Sequence, residues 1–210
     1  LWWLILNGVI LNIRPKRSAA AYASIWGELD DGSPLMDISL QQQQAISSLL
    51  KEQNIEIVTE LAMRYGNPSI KHGLQQLKTQ NVDRLLVLPL YPQYSASTSA
   101  SVFDAVTDEL KNWRLIPEVR FVNHYHDYPA YIKALANSVK AHWQQHGQPE
   151  QLLISFHGVP KRYLLNGDPY PCECHKTGRL LAENLGLSKD QYQVTFQSIF
   201  GREEWLKPYT

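Results

Sequence analysis

The chain has 210 residues, 44% of them hydrophobic and 19% charged, which describes an ordinary globular protein able to bury a core in one or two domains. Twenty Lys and Arg balance twenty Asp and Glu, so no broad field directs the chain toward nucleic acid or an anionic membrane. Its two cysteines, Cys172 and Cys174, are separated by one residue; a disulfide between them would be strained, a disulfide scaffold is excluded, and a reducing cytoplasm fits best.

The first residues, Leu1 to Leu6 and Val9 to Leu11, are strongly apolar, but Asn7-Gly8 interrupts the run and Asn12 closes it. It falls well short of the roughly 20 residues that span a bilayer. A signal peptide would carry basic residues before the run, whereas Arg14, Lys16 and Arg17 follow it. Packing as core or pocket wall is the favoured reading, with peripheral contact at a membrane surface as the other.

Gln41 to Gln44 lie inside a helical pattern. Residues Ile55 to Met63 are rich in β-branched and apolar side chains and predict a strand, ended by a turn at Arg64-Tyr65-Gly66-Asn67-Pro68. A helix is expected over Ser69 to Gln80. The nearly continuous apolar run from Arg84 to Leu90 predicts a central strand covered on both faces. A helix follows from Ser99 to Trp113, with Val102, Phe103, Val106 and Leu110 on one stripe.

Val119 to Val122 predicts a short strand. Tyr128 to His146 predicts a long helix, with Ile132, Leu135, Ala136 and Val139 inward and Gly147 at its end. Leu152 to Phe156 is an apolar strand that runs directly into His157-Gly158-Val159-Pro160. Thr177 to Leu185 reads as a helix stopped by Gly186, and Val194 to Phe196 starts the last strand. Alternation of this kind argues for an α/β fold with parallel sheets and crossover helices.

In such sheets, chemistry collects where strands empty into turns, which singles out His157. An imidazole there can act as a base or a metal ligand near neutral pH; a strand-end histidine that only caps the sheet is the simpler alternative. No Gly-x-Gly-x-x-Gly or Gly-Lys-Ser/Thr phosphate loop occurs, which argues against a nucleotide-binding domain.

Four phrases carry more than pattern. Ser155-Phe156-His157-Gly158-Val159-Pro160-Lys161-Arg162-Tyr163 continues to Gly167-Asp168-Pro169-Tyr170-Pro171. The others are Gly32-Ser33-Pro34-Leu35 leading into the glutamines, Leu88-Pro89-Leu90-Tyr91-Pro92-Gln93-Tyr94-Ser95, and Phe196-Gln197-Ser198 with Gly201-Arg202-Glu203 and Trp205-Leu206. In order and spacing they resemble ferrochelatase, the enzyme of haem and porphyrin biosynthesis that inserts ferrous iron into protoporphyrin IX. The chain begins without Met and stops where the family's sequence continues, so it is expected to be an internal fragment lacking both ends.

The resemblance implies two similar doubly wound, Rossmann-like, chelatase-type domains around a porphyrin cleft. Both are incomplete here: residues 1–127 form the first, and residues 128–210 form the second, which carries His157. It implies a lyase acting in the cytoplasm on protoporphyrin IX and Fe(II), with no organic cofactor. Alternatives are a tetrapyrrole-binding protein without catalysis, or a chelatase for coproporphyrin or cobalt. Some members hold an iron–sulfur cluster through a cysteine after the position of Tyr94. Ala96 stands there in this chain, so no cluster is expected.

The resemblance assigns catalysis and metal contact to His157, its partner being a glutamate in a segment beyond Thr210. It places Arg14, Tyr22, Ser33, Arg64 and Tyr65 against the macrocycle or its carboxylates, and an arginine fork suits a carboxylate. Turn chemistry at Ser33 and core packing at Tyr22 and Tyr65 are the structural alternatives. Glu203 and Glu204 belong to a phrase the family uses structurally. Cys172-Glu173-Cys174-His175 lacks the spacing and the second ligand pair of a zinc site, and reads as two free thiols at a helix start. His124-Tyr125-His126-Asp127 is a denser polar cluster; the resemblance sets it between the domains near a metal route, while loop histidines are the simpler reading.

Overall fold

The computed structural model describes residues 19, 33–199 and 201–210. The chain divides into two compact units, Leu1–Thr79 and Gln80–Thr210.

In the first unit, helix α1 spans Pro34–Glu52, with Ser33 as N-cap residue and Pro34 in the first turn. Proline is tolerated there because its missing N–H has no intrahelical partner in any case. The four glutamines lie within it. Helix α2 covers Ile70–Thr79 and buries Ile70, Gly73 and Leu74.

The strand expected over residues 55–63 is not formed among the described residues. Residues 55–62 take no ladder, and the bridge there is Met63 to Ser69. Gln43 Nε2 instead donates to the carbonyl of Thr59. Side-chain preference supplies β character, but a strand exists only through its partner's hydrogen bonds.

The second unit is mixed α/β with parallel pairing. Strand β1 (Arg84–Val87) pairs with β2 (Glu118–Phe121), and helix α3 (Ser99–Leu110) connects them. Helix α4 (Pro129–His146) leads to β3 (Leu152–His157), then α5 (Lys161–Leu165), α6 (Tyr170–Leu185) and β4 (Tyr192–Gln197), with β3 parallel to β4. The parallel pairing and the crossover helices agree with the α/β reading of the sequence.

Two details differ. The β1 segment is packed on one face only: Leu85 is buried, whereas Leu86, Leu88 and Leu90 are exposed. Residues alternate across a strand, so an all-apolar run fits one covered face as well as two. Helix α6 starts seven residues earlier than Thr177. Pro171 is accepted in its first turn, and Asp168 Oδ1 takes the N–H of Tyr170, so the proline-rich phrase opens the helix rather than preceding it.

The core of this unit gathers Val159, Tyr170, Cys174, Val194, Phe196 and Leu206. Helix α6 buries Tyr170, Glu173, Cys174, Thr177, Gly178, Leu181 and Ala182, a stripe at helical spacing. At Gly178 an added Cβ would run into Val194 Cγ2 of β4, so the glycine sets how closely helix and strand pack. Among the described residues no helix is long and apolar enough to cross a membrane.

Candidate active site

His157 is the last residue of β3, opposite Gln197 of β4, and its side chain is exposed. The backbone that carries it is fixed on both sides. The N–H of Gly158 donates to the carbonyl of Gln197 at 2.7 Å. A Cβ at Gly158 would itself lie 2.7 Å from that oxygen and 3.3 Å from the Trp205 ring. Only glycine allows the chain to leave the strand so close to its neighbour.

The turn is clamped further by the segment after β4. Leu206 N–H donates to the carbonyl of Val159, and Lys161 N–H to that of Glu204. Ion pairs Lys161–Glu204 and Arg162–Glu203 sit over this clamp at 3.1 and 2.8 Å. They are solvent-exposed pairs of the kind worth well under about 1 kcal/mol, so the main-chain bonds carry the restraint.

From inside, the Tyr170 hydroxyl donates to the carbonyl of His157 at 2.9 Å. Burial raises the pKa of this phenol, and burial pushes the neighbouring Cys174 thiol up to about 12. Both groups are therefore neutral donors at ordinary pH.

The first turns of α6 hold the loops that follow the strands. Asp168 is buried; its Oδ2 accepts from the Ser95 hydroxyl at 2.9 Å and the Ala96 N–H at 2.8 Å. Glu173, also buried, accepts the Tyr94 N–H at 2.7 Å. Gln93 Nε2 donates to the Thr177 hydroxyl, which donates to the carbonyl of His126. The loop after β1, the loop after β2 and the His157 turn thus converge on one helix start. Tyr94, Ala96, Arg162, Tyr163, Gly167 and Asp168 border an open depression of about 310 Å³; His157 is not part of its wall.

Beside this start, His124 Nδ1 lies 2.7 Å from Glu173 Oε1, and His126 Nδ1 lies 3.2 Å from Oε2. Burial lowers the pKa of His126, against the opposing pull of Glu173 and Asp127. Lys176 pairs with Asp127 and holds its carboxyl below the usual range. So this stretch is no plain run of loop histidines: His126 is buried and its neighbours are ordered by α6.

His157 belongs to the second unit. Ser33, Arg64 and Tyr65 belong to the first. Ser33 is half-buried, makes no side-chain cap bond, and lends its carbonyl to the N–H groups of Met36 and Asp37. Arg64 stacks its guanidinium 4.6 Å from the Tyr65 ring centroid, with Tyr65 exposed. Arg14 and Tyr22 lie outside the described residues.

Cys172 and Cys174 are free thiols, one exposed and one buried, inside α6. The residues that sequence reasoning passed over are Asp168, Tyr170 and Glu173. The first two stand within the Gly167-Asp168-Pro169-Tyr170-Pro171 phrase, and Glu173 is screened by the cysteines on either side of it.

Comparison with known proteins identifies the chain's family. The ferrochelatase family model matches residues 1–210, the whole chain. The chain belongs to the ferrochelatase family. It is 58% identical over 211 residues to the ferrochelatase of Marinobacter nauticus and 57% identical to those of Hydrogenovibrio crunogenus and Thioalkalivibrio sulfidiphilus. In each case all of this chain is covered but only 56% of the relative's length. Among solved structures, SirB from Bacillus subtilis with Fe3+ has a TM-score of 0.53 at 14% identity, covering 78% of this chain and 62% of that one. That likeness extends to the fold alone.

Proposed function

We propose that the complete protein inserts ferrous iron into protoporphyrin IX, releasing two protons and forming protohaem. The observation that carries this reading is the exposed imidazole of His157 at the carboxyl end of β3, on a backbone held by Gln197, Tyr170 and the 204–206 segment, in a chain of the ferrochelatase family.

Metal insertion needs a base for the pyrrole N–H protons and a ligand that can pass on a divalent iron. A neutral imidazole serves either need, and nitrogen ligands suit Fe(II). Restraint of the backbone fixes the direction in which that side chain leaves the strand, so part of the positioning is supplied before binding. Arg14, Tyr22, Ser33, Arg64 and Tyr65 are proposed to line the macrocycle and its carboxylates, and the reaction requires no organic cofactor. A two-domain division near residue 127 is proposed with it, since β1–β2 precedes that point and β3–β4 follows it.

The test is anaerobic metallation by the protein of the complete reading frame. Fe(II) and protoporphyrin IX are supplied and the loss of porphyrin fluorescence is followed. Turnover that His157→Ala reduces by about a thousandfold or more, in line with loss of a base or metal ligand from an assembled site, supports the assignment. Turnover that survives the substitution, or porphyrin binding without metallation, removes it.

A further inference from the structure

Three side chains unrelated to the His157 turn converge on one point. His124 and His126 follow β2, and Glu173 stands in the first turn of α6. Each offers a ligand atom, and the three atoms lie within 4.8 Å of one another. We propose that His124, His126 and Glu173 form a binding site for a divalent first-row transition-metal ion.

The donor set selects the ligand class. Two imidazoles and one carboxylate suit Zn(II), Fe(II) or Co(II), whereas Ca(II) and Mg(II) ask for oxygen shells. Ligand atoms around a tetrahedral ion with bonds near 2.0–2.1 Å stand roughly 3.3 Å apart. His126 Nδ1 stands 3.2 Å from Glu173 Oε2 and His124 Nδ1 stands 2.7 Å from the other oxygen, Oε1, so the carboxylate lies between the two imidazoles and turns to present one oxygen to a shared ion. The second contact must open by about half an ångström to reach the tetrahedral spacing. The His124 side chain, 51% exposed, has room to do so.

A second observation points the same way. His126 Nδ1 is buried and has no hydrogen-bond partner, although a carboxylate oxygen is within 3.2 Å. Buried polar atoms are nearly always bonded, so an orphan aimed at a carboxylate marks the place of something that binds both.

The surroundings hold the donors as metal ligands are usually held. The Tyr94 N–H orients Glu173 Oε2, and the Thr177 hydroxyl fixes the carbonyl of His126. Asp127 Oδ2 stands 3.9 Å from His126 Nε2, beyond hydrogen-bond distance but near enough for its charge to favour the proton that this nitrogen keeps when Nδ1 coordinates. Three protein ligands leave a fourth position for water or an exchanging ligand.

The site does not depend on the metal-insertion reading, and its test leaves that activity aside. The full-length protein carrying His157→Ala, which removes the turn imidazole as a competitor, is stripped with chelator and titrated anaerobically with Co(II). Visible d–d absorption is recorded. Stoichiometric binding with the intense bands of low-coordinate Co(II), weakened about tenfold or more by adding His124→Ala or Glu173→Gln, is the expected result. Displacement of Co(II) by Zn(II) should abolish the bands. His124 is half-exposed, so its alanine variant keeps the fold and decides the question if Glu173→Gln does not fold; circular dichroism verifies this. An aqua-like Co(II) spectrum, or affinity unchanged by His124→Ala, overturns the proposal and leaves the cluster a hydrogen-bonded strut.

Discussion

The hydroxyl of Tyr170, in the first turn of α6, donates to the carbonyl of His157 at 2.9 Å, so the strand that presents the imidazole is tied to the helix that collects the neighbouring loops. Tyr170→Phe leaves that carbonyl without its protein donor and keeps the ring packed. The variant should lose about 1 kcal/mol of stability, read from the urea midpoint. Metallation by the full-length protein should slow severalfold, mainly in kcat, because the turn loosens while the porphyrin contacts remain. An unchanged kcat would show that the Gln197 and 204–206 restraints suffice.

Gly158 leaves the strand with no room for a side chain. The contact that Gly158→Ala would create is with backbone, 2.7 Å from the Gln197 carbonyl, so no rotamer change relieves it. A destabilisation on the order of 2 kcal/mol is expected, together with loss of metallation because the His157 turn shifts. Thermal unfolding indistinguishable from wild type would refute the steric argument.

Asp168 accepts three hydrogen bonds, from Ser95, Ala96 and Tyr170. Asp168→Asn keeps one oxygen and turns an NH2 toward at least one of those donors. The change should cost roughly 2 kcal/mol or more, since it leaves a buried donor without an acceptor. Hydrogen exchange of the Ala96 and Tyr170 amides should rise with it. Protection equal to wild type at both amides would contradict the bonding described.

The two cysteines should react differently. Cys172 is exposed and should be alkylated readily by iodoacetamide near pH 8, while Cys174, whose thiol burial pushes up to about 12, should resist until the protein unfolds. The same shift has a stability consequence. An acid whose folded pKa exceeds its unfolded value keeps its proton in the fold while the unfolded chain loses it, so stability falls as pH rises above the unfolded value near 9. One such group contributes a slope of about 1.4 kcal/mol per pH unit up to the folded value. Cys174→Ala should flatten the decline between about pH 9 and 11, where the unfolded thiol ionises and the folded one does not. Equal slopes in both proteins would mean that other groups govern it.

The sequence by itself determined the α/β class, the helical setting of Gln41 to Gln44, the helices α2, α3 and α4 to within a few residues, and the position of His157 at a strand end. These follow from local rules: apolar periodicity, caps, and the glycine and proline that stop elements. The phrase around His157 also carried the family, which the whole-chain match then established.

Tertiary structure decided the rest. Residues 55–62 have strand-forming side chains and no ladder among the described residues, because pairing is a property of two segments. The start of α6 depended on the Asp168 carboxylate taking a backbone N–H, a bond that periodicity does not encode. His124 and Glu173, 49 residues apart, meet only because the β2 loop is pinned to the first turns of α6. Separation along the chain hides such meetings: each residue obeys its own local pattern, and only the path of the backbone between them brings the side chains into contact.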